Sequence, residues 1–241
     1  MANPKYKRIL LKLSGEALSN KENILNFDFI AEVASVVKKC LNEGVEIAVL
    51  VGGGNIWRGG RQDVISNRAK ADSMGMLATV INSIALQEAF ITNGINAIAM
   101  TSVEMNDVAK LYIPRDAVEE LKKGRVVILG GGTGAPFFST DTAAMLRGAE
   151  IEADVVLMAK NVDGVYTSDP NAERGEGEPK AVRYDDLTYT EILVKELKAI
   201  DLTAAAFGMA NNIDSYVFDL RDPMNIYRSV MGESVGTMLH K

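Results

Sequence analysis

Histidine and cysteine are nearly absent from this chain of 241 residues, which holds one of each, His240 and Cys40. A single thiol excludes an intramolecular disulfide and a cysteine cluster for zinc. Cys40 falls in a helical pattern with Ile30, Val33, Val37 and Leu41, where a buried structural thiol is expected rather than a nucleophile. A lone imidazole disfavours a Ser–His–Asp relay and any metal site built on histidine. Basic residues do not dominate: 26 Lys and Arg face 32 Asp and Glu, a net charge of −6. That balance argues against broad binding of nucleic acid, although a local basic pocket for a small anion remains compatible with it. No uninterrupted apolar run reaches the roughly 18 residues of a membrane-crossing helix. The opening residues run straight into a strand pattern without a signal-peptide signature, so a cytoplasmic location and no membrane partner are expected. A Walker A loop, Gly-x-x-x-x-Gly-Lys-[Ser/Thr], occurs nowhere. The first turn also lacks the Gly-x-Gly-x-x-Gly spacing of a dinucleotide-binding dehydrogenase. Chemistry is left to lysine, arginine, aspartate and backbone groups, which is the equipment of phosphoryl transfer.

Glycine, by contrast, is placed with purpose. Three glycine-bearing turns each end an apolar run: Lys12 to Gly15, Gly52 to Asn55, and Gly130 to Gly134. Glycine lets backbone N–H groups approach a ligand closely and adopt positive φ without steric cost. A strand feeding such a turn before a helix makes an anion site. Three of them, with Lys12 and Arg58 beside two, suggest a ligand carrying several phosphates.

Strand-like runs of Val, Ile and Leu occur at 7–13, 45–51, 95–100, 125–129, 154–159, 213–218 and 236–239. Helical patterns lie between them at 27–43, 73–93, 114–123, 140–151, 187–195, 201–210 and 223–231. Continuous apolar strands alternating with helices predict an α/β fold, a mostly parallel central sheet covered by helices on both faces. The 73–93 segment is apolar nearly all round, so it lies centrally or against another subunit. The polar, Gly- and Pro-bearing loop from Asp169 to about 180 reads as a lid.

Among candidate site residues, Lys12 alternates inside a buried strand, where an idle ammonium would not sit. A phosphate partner therefore outranks a solvated strand-end charge. Arg58 offers a planar fork for phosphate oxygens, against the plain alternative of a surface arginine. Trp57 reads as packing sooner than base stacking and is assigned no role. Thr133, Gly134, Ala135, Pro136, Phe137, Phe138, Ser139 and Thr140 precede a helix start. One of Ser139, Thr140 and Asp141 could be a plain cap, but the whole segment suits a phosphorylated ligand with a flat ring. Asp141, Asp163, Asp169 and Asp201 lie near strand ends or helix starts, where acidic caps are common. Asp154 reads as a strand boundary. The run Asn161 to Asp169 adds a turn glycine, Tyr166 to face a purine, and a carboxylate near the lid.

Taken in order, five segments carry a resemblance: Lys12-Leu-Ser-Gly-Glu-Ala-Leu, Gly-Gly-Gly-Asn-x-x-Arg-Gly, Asp72-x-Met-Gly-Met-Leu-Ala-Thr, Thr-Gly-x-Pro-Phe-Phe-x-Thr-Asp and Val-Asp-Gly-Val-Tyr-x-x-Asp-Pro. The chain resembles the bacterial-type UMP kinases (uridylate kinases) of the amino acid kinase superfamily over essentially its full length. The resemblance implies a three-layer αβα sandwich forming one amino acid kinase domain, 1–241. Residues 1–150 would carry the UMP and phosphate part, and 151–241 the ATP part with a lid at 169–180. It implies transfer of the ATP γ-phosphoryl group to UMP, with Mg²⁺ held mainly by the ATP phosphates, in pyrimidine nucleotide synthesis. Lys12, Leu13, Ser14, Gly15, Gly54 and Arg58 would bind ATP phosphates, and Asn161, Tyr166 and Asp169 the adenine side. Gly53, Asp72 and Thr133 to Thr140 would hold UMP, while Lys12, Arg58, Asp141 and Asp201 would act in catalysis. A homohexamer built of dimers, inhibition by UTP and activation by GTP are further implications. Asn20 to Leu25 holds no glycine where many members carry a glycine-rich stretch, which argues against GTP activation here. Lys160 stands where some members have Thr. The alternatives are a relative acting on a carboxylate, or a nucleotide-sensing regulator without turnover.

Overall fold

The computed structural model describes residues 3–57, 66–168, 180–197 and 200–241. The apolar runs form strands because Val, Ile and Leu fit a pleated surface covered on both faces. In chain order the elements are β1 (Arg8–Leu13), α1 (Phe27–Asn42), β2 (Glu46–Val51), α2 (Arg68–Thr92), β3 (Ala97–Thr101), β4 (Lys110–Leu111), α3 (Pro114–Lys122) and β5 (Val126–Gly130). They continue as α4 (Thr140–Glu150), β6 (Val155–Lys160), β7 (Asp186–Thr188), α5 (Tyr189–Val194), α6 (Leu202–Asn211), β8 (Ser215–Asp219), α7 (Met224–Val230) and β9 (Gly236–His240). A short 3₁₀ turn, Gly15–Leu18, follows β1.

The strands make one sheet in the order β4-β3-β5-β2-β1-β6-β8-β9-β7. Every neighbouring pair runs parallel except β8 with β9. Alternate residues of a strand face opposite sides. Ile9, Leu11 and Leu13 join α1, α2 and α7 through Val37, Phe90 and Ile226. Leu10 joins the other layer through Met145, Tyr189 and Ala205 of α4, α5 and α6. This is the three-layer α/β sandwich expected. Cys40 lies fully buried in the first layer.

The seven expected strands are present with ends moved by one or two residues, and β4 and β7 are additions. Both are too short to leave a periodic signal. α2 begins at Arg68 rather than at 73, because the Asn67 side chain accepts from Lys70 N and caps it. By length and composition α2 could cross a membrane. Its Ala78, Val80, Leu86 and Phe90 are nevertheless buried in the core, while Met74, Leu77 and Ile81 are exposed. Asp154 does more than mark a strand edge: its Oδ2 accepts from Lys7 N at 2.6 Å and Arg8 N at 2.9 Å, fixing the start of β1.

Candidate active site

β1 lies between β2 and β6, reached by chain running in opposite directions across the sheet. In open α/β sheets such a switch point leaves a crevice beyond the carboxyl ends of the strands. The ends of β5, β2, β1 and β6 are neighbours there, and each of the three glycine turns follows one of the first three. Gly52 N donates to Leu13 O at 2.9 Å, so the first two turns touch. A Cβ on Gly15 would fall 2.6 Å from Gly52 O, which leaves glycine as the residue that fits. In the third turn Gly131, Gly132 and Gly134 have φ of 79°, 59° and 80°.

Lys12 shares the face of Leu10 and is 6% exposed. Its Nζ lies 3.0 Å from Asp141 Oδ1, in the first turn of α4. Lys160, at the end of β6, reaches the other oxygen, Asp141 Oδ2, at 2.8 Å. Burial alone would raise the Asp141 pKa, but the ammonium groups of Lys12 and Lys160 outweigh it and hold the carboxyl at about 2. Burial pushes Lys160 below the ordinary lysine value, and its pairing with Asp141 opposes that shift. Two ammonium groups share one carboxylate at the strand ends, which fixes the position of each.

Asp201 joins this site from α6. It caps α6 by accepting from Ala204 N at 2.9 Å. The same carboxylate accepts from Ser139 Oγ and, at 3.0 and 3.1 Å, from Thr142 Oγ1. Ser139 in turn accepts from the N–H groups of Asp141 and Thr142 at 3.0 and 3.1 Å, capping α4. The positive ends of two helices therefore converge beside Lys12. Each carboxylate caps or pairs locally and also ties together segments distant in the chain.

A cleft of about 290 Å³ opens next to this cluster. Gly53, Asp72, Thr133 and Ala135 line it, with Phe138, Ser139 and Thr140. Asp72 Oδ2 accepts from Phe137 N at 2.8 Å, and Arg68 lies 5.4 Å over the Phe137 ring. Phe137 takes φ of 72°, a left-handed conformation costly for an aromatic residue. Gly134, Pro136 and Phe137 belong to the same segment without lining the cleft.

A second, more polar cleft of about 640 Å³ is lined by Glu16, Gly54, Asn55, Trp57 and Asn161 among others. Gly54 and Trp57 border both clefts. Leu13 is fully buried, so only its backbone is available to a ligand. Tyr166 donates to Asp163 Oδ1 at 2.8 Å, a bond that raises its phenol pKa. Arg58, Asp169 and the loop 169–179 lie outside the described residues.

The sequence reasoning missed four side chains that shape the site. Lys160 was visible only as a departure from a pattern. Thr79 Oγ1 accepts from Gly131 N at 2.7 Å, and fully buried Asn82 donates to Gly52 O and Asn55 Oδ1, both at 2.7 Å. Arg147 donates to Gly132 O at 3.1 Å. For Thr79 the available signal was a polar residue on the buried side of an apolar helix. Trp57, read as packing, has its indole N–H buried with no hydrogen-bond partner among the described residues.

Residues 7–219 match the model of the amino acid kinase family. A crystal structure of UMP kinase from Bacillus anthracis superposes with a TM-score of 0.91 and 35% identity, covering 98% of this chain and 96% of that one. UMP kinase from Ureaplasma parvum gives 0.90 and 34%, over 98% and 100%. Uridylate kinase from Archaeoglobus fulgidus gives 0.71 and 30%, over 96% and 99%.

Proposed function

We propose that this chain, which belongs to the amino acid kinase family, is a UMP kinase that transfers the γ-phosphoryl group of ATP to UMP, giving ADP and UDP. The observation that carries the reading is the Lys12–Asp141–Lys160 cluster set beside two clefts at the strand switch point. A kinase of two nucleotides needs two sites meeting where a lysine can reach their phosphates.

An oxygen of the UMP phosphate attacks the γ-phosphorus, the bond from that phosphorus to the β–γ bridging oxygen breaks, and ADP leaves. The attacking oxygen is already ionised, so no strong base is needed. Catalysis is alignment and neutralisation of charge. Lys12, with Asp141 fixing its position, meets the phosphates of ATP together with Ser14, Gly15, Gly54 and Arg58. Asp201 orients the α4 start. Asn161, Tyr166 and Asp169 take the adenine side, and Gly53, Asp72 and Thr133 to Thr140 take UMP. Residues 1–150 form the acceptor part and 151–241 the ATP part.

Among the described residues no cluster of three carboxylate, thiol or imidazole groups could hold a metal ion. A magnesium ion would be held mainly by the ATP phosphates, where it would neutralise phosphate charge. The exposed stripe of Met74, Leu77 and Ile81 on α2 supports a dimer contact within a homohexamer. Inhibition by UTP, little or no activation by GTP, and a cytoplasmic location complete the proposal. The test measures ADP release from ATP and Mg²⁺ with UMP, CMP, dUMP, acetylglutamate or carbamate as acceptor. Strong preference for UMP is expected. Preference for another acceptor would reassign the 290 Å³ cleft, and no turnover with any would indicate a regulator.

A further inference from the structure

We infer that Arg147 is a positioning residue for the acceptor nucleotide, acting through the carbonyl of Gly132; the inference rests on the reading of the 290 Å³ cleft as the UMP site. Arg147 lies in the last turn of α4, on the far end from Asp141, and is 7% exposed. A guanidinium this deeply buried needs partners for its donors. Nη2 donates to Gly132 O at 3.1 Å, and Nη1 pairs with Glu150 Oε2 at 2.6 Å. The Tyr112 ring lies 4.5 Å from the guanidinium carbon, and its hydroxyl donates to the same Glu150 oxygen at 2.9 Å. The fork thus has one tine on the glycine turn and the other locked from behind.

Gly132 and Thr133 line the acceptor cleft, while Gly132 itself sits at φ of 59°. A glycine run has little stiffness of its own, so its shape is set by what grips it. Thr79 grips the N–H of Gly131, and Arg147 grips the carbonyl of Gly132. Since Asp141 opens α4 and Arg147 closes it, the one helix holds the acceptor turn in register with Lys12. The cleft of about 640 Å³ bordered by Gly54 and Asn161, residues proposed above for ATP, is lined by none of these turn residues. Loosening Arg147 should therefore be felt by UMP and not by ATP.

The test compares Arg147→Met, Arg147→Lys and Glu150→Gln with the wild type in steady-state kinetics, with UMP affinity measured separately by calorimetry. Arg147→Met is expected to raise the KM and Kd for UMP about tenfold while the KM for ATP stays within about twofold. Arg147→Lys, which reaches one partner but not both, gives an intermediate value. Glu150→Gln, which keeps the guanidinium and weakens its rear anchor, shifts UMP in the same direction by a smaller factor. An unchanged KM for UMP in a folded Arg147→Lys or Glu150→Gln protein, or equal shifts for UMP and ATP, overturns the inference and leaves UMP kinase activity standing. A wild type that neither binds nor phosphorylates UMP overturns both.

Discussion

The ammonium of Lys12 sits 3.0 Å from Asp141 Oδ1, joining the end of the central strand to the first turn of α4. The pair fixes where a buried lysine side chain points before any ligand arrives. Lys160 on the second oxygen makes Asp141 a hub.

Lys12→Ala is expected to reduce kcat by about a hundredfold or more, as loss of a preorganised charge at a transferring phosphoryl group does. UMP affinity should stay close to that of the wild type. Single-turnover kinetics with calorimetry for UMP would check both, and a near-normal kcat would remove Lys12 from the mechanism.

Asp141 should make stability depend on acid. Its folded pKa of about 2 lies below its ordinary value of 3.8. The ionised form is thus favoured by folding, and its contribution, on the order of 2 kcal/mol, is present above pH about 4 and lost as pH falls through about 2. Urea midpoints taken between those limits should fall more steeply for the wild type than for Asp141→Asn.

Asp72→Asn should weaken UMP much more than ATP, by about tenfold against less than about twofold. The carboxylate borders the 290 Å³ cleft and holds Phe137 N at 2.8 Å. Equal effects on the two Michaelis constants would contradict the assignment of that cleft.

Ile81→Glu should shift the protein to a smaller assembly without unfolding it, because Ile81 is 51% exposed on α2 and contributes little to the core. Light scattering with circular dichroism would read both. An unchanged mass would remove this face of α2 from the proposed dimer contact.

Cys40 should be inert to thiol reagents in the native protein. Burial pushes its pKa up to about 12, leaving almost no thiolate at neutral pH. Reaction with a disulfide reagent should appear only as the chain unfolds in urea.

Much of this site was legible before folding was considered. Lys12 betrayed itself as a charge inside an apolar strand, and the segment from Thr133 to Asp141 carried more hydroxyls and glycine than one helix cap needs. Arg147 and Asn82 gave no comparable sign. Each is a single polar residue in a helix, and what it touches, Gly132 or Gly52, lies elsewhere in the chain.

Local pattern by itself determined the parallel strands, the helices between them and the glycine turns at strand ends. Such features depend on neighbours within a few residues, through alternation, capping and freedom of φ. Only the tertiary structure decided that β1 lies between β2 and β6, which brings Lys12 and Lys160 onto one carboxylate. It also decided that Asp201 serves α4 as well as its own helix, and that Phe137 accepts a left-handed backbone to meet Asp72. Strand order and helix placement follow from packing the two apolar layers as a whole, and the periodicity of one segment carries no record of which distant segment will lie beside it.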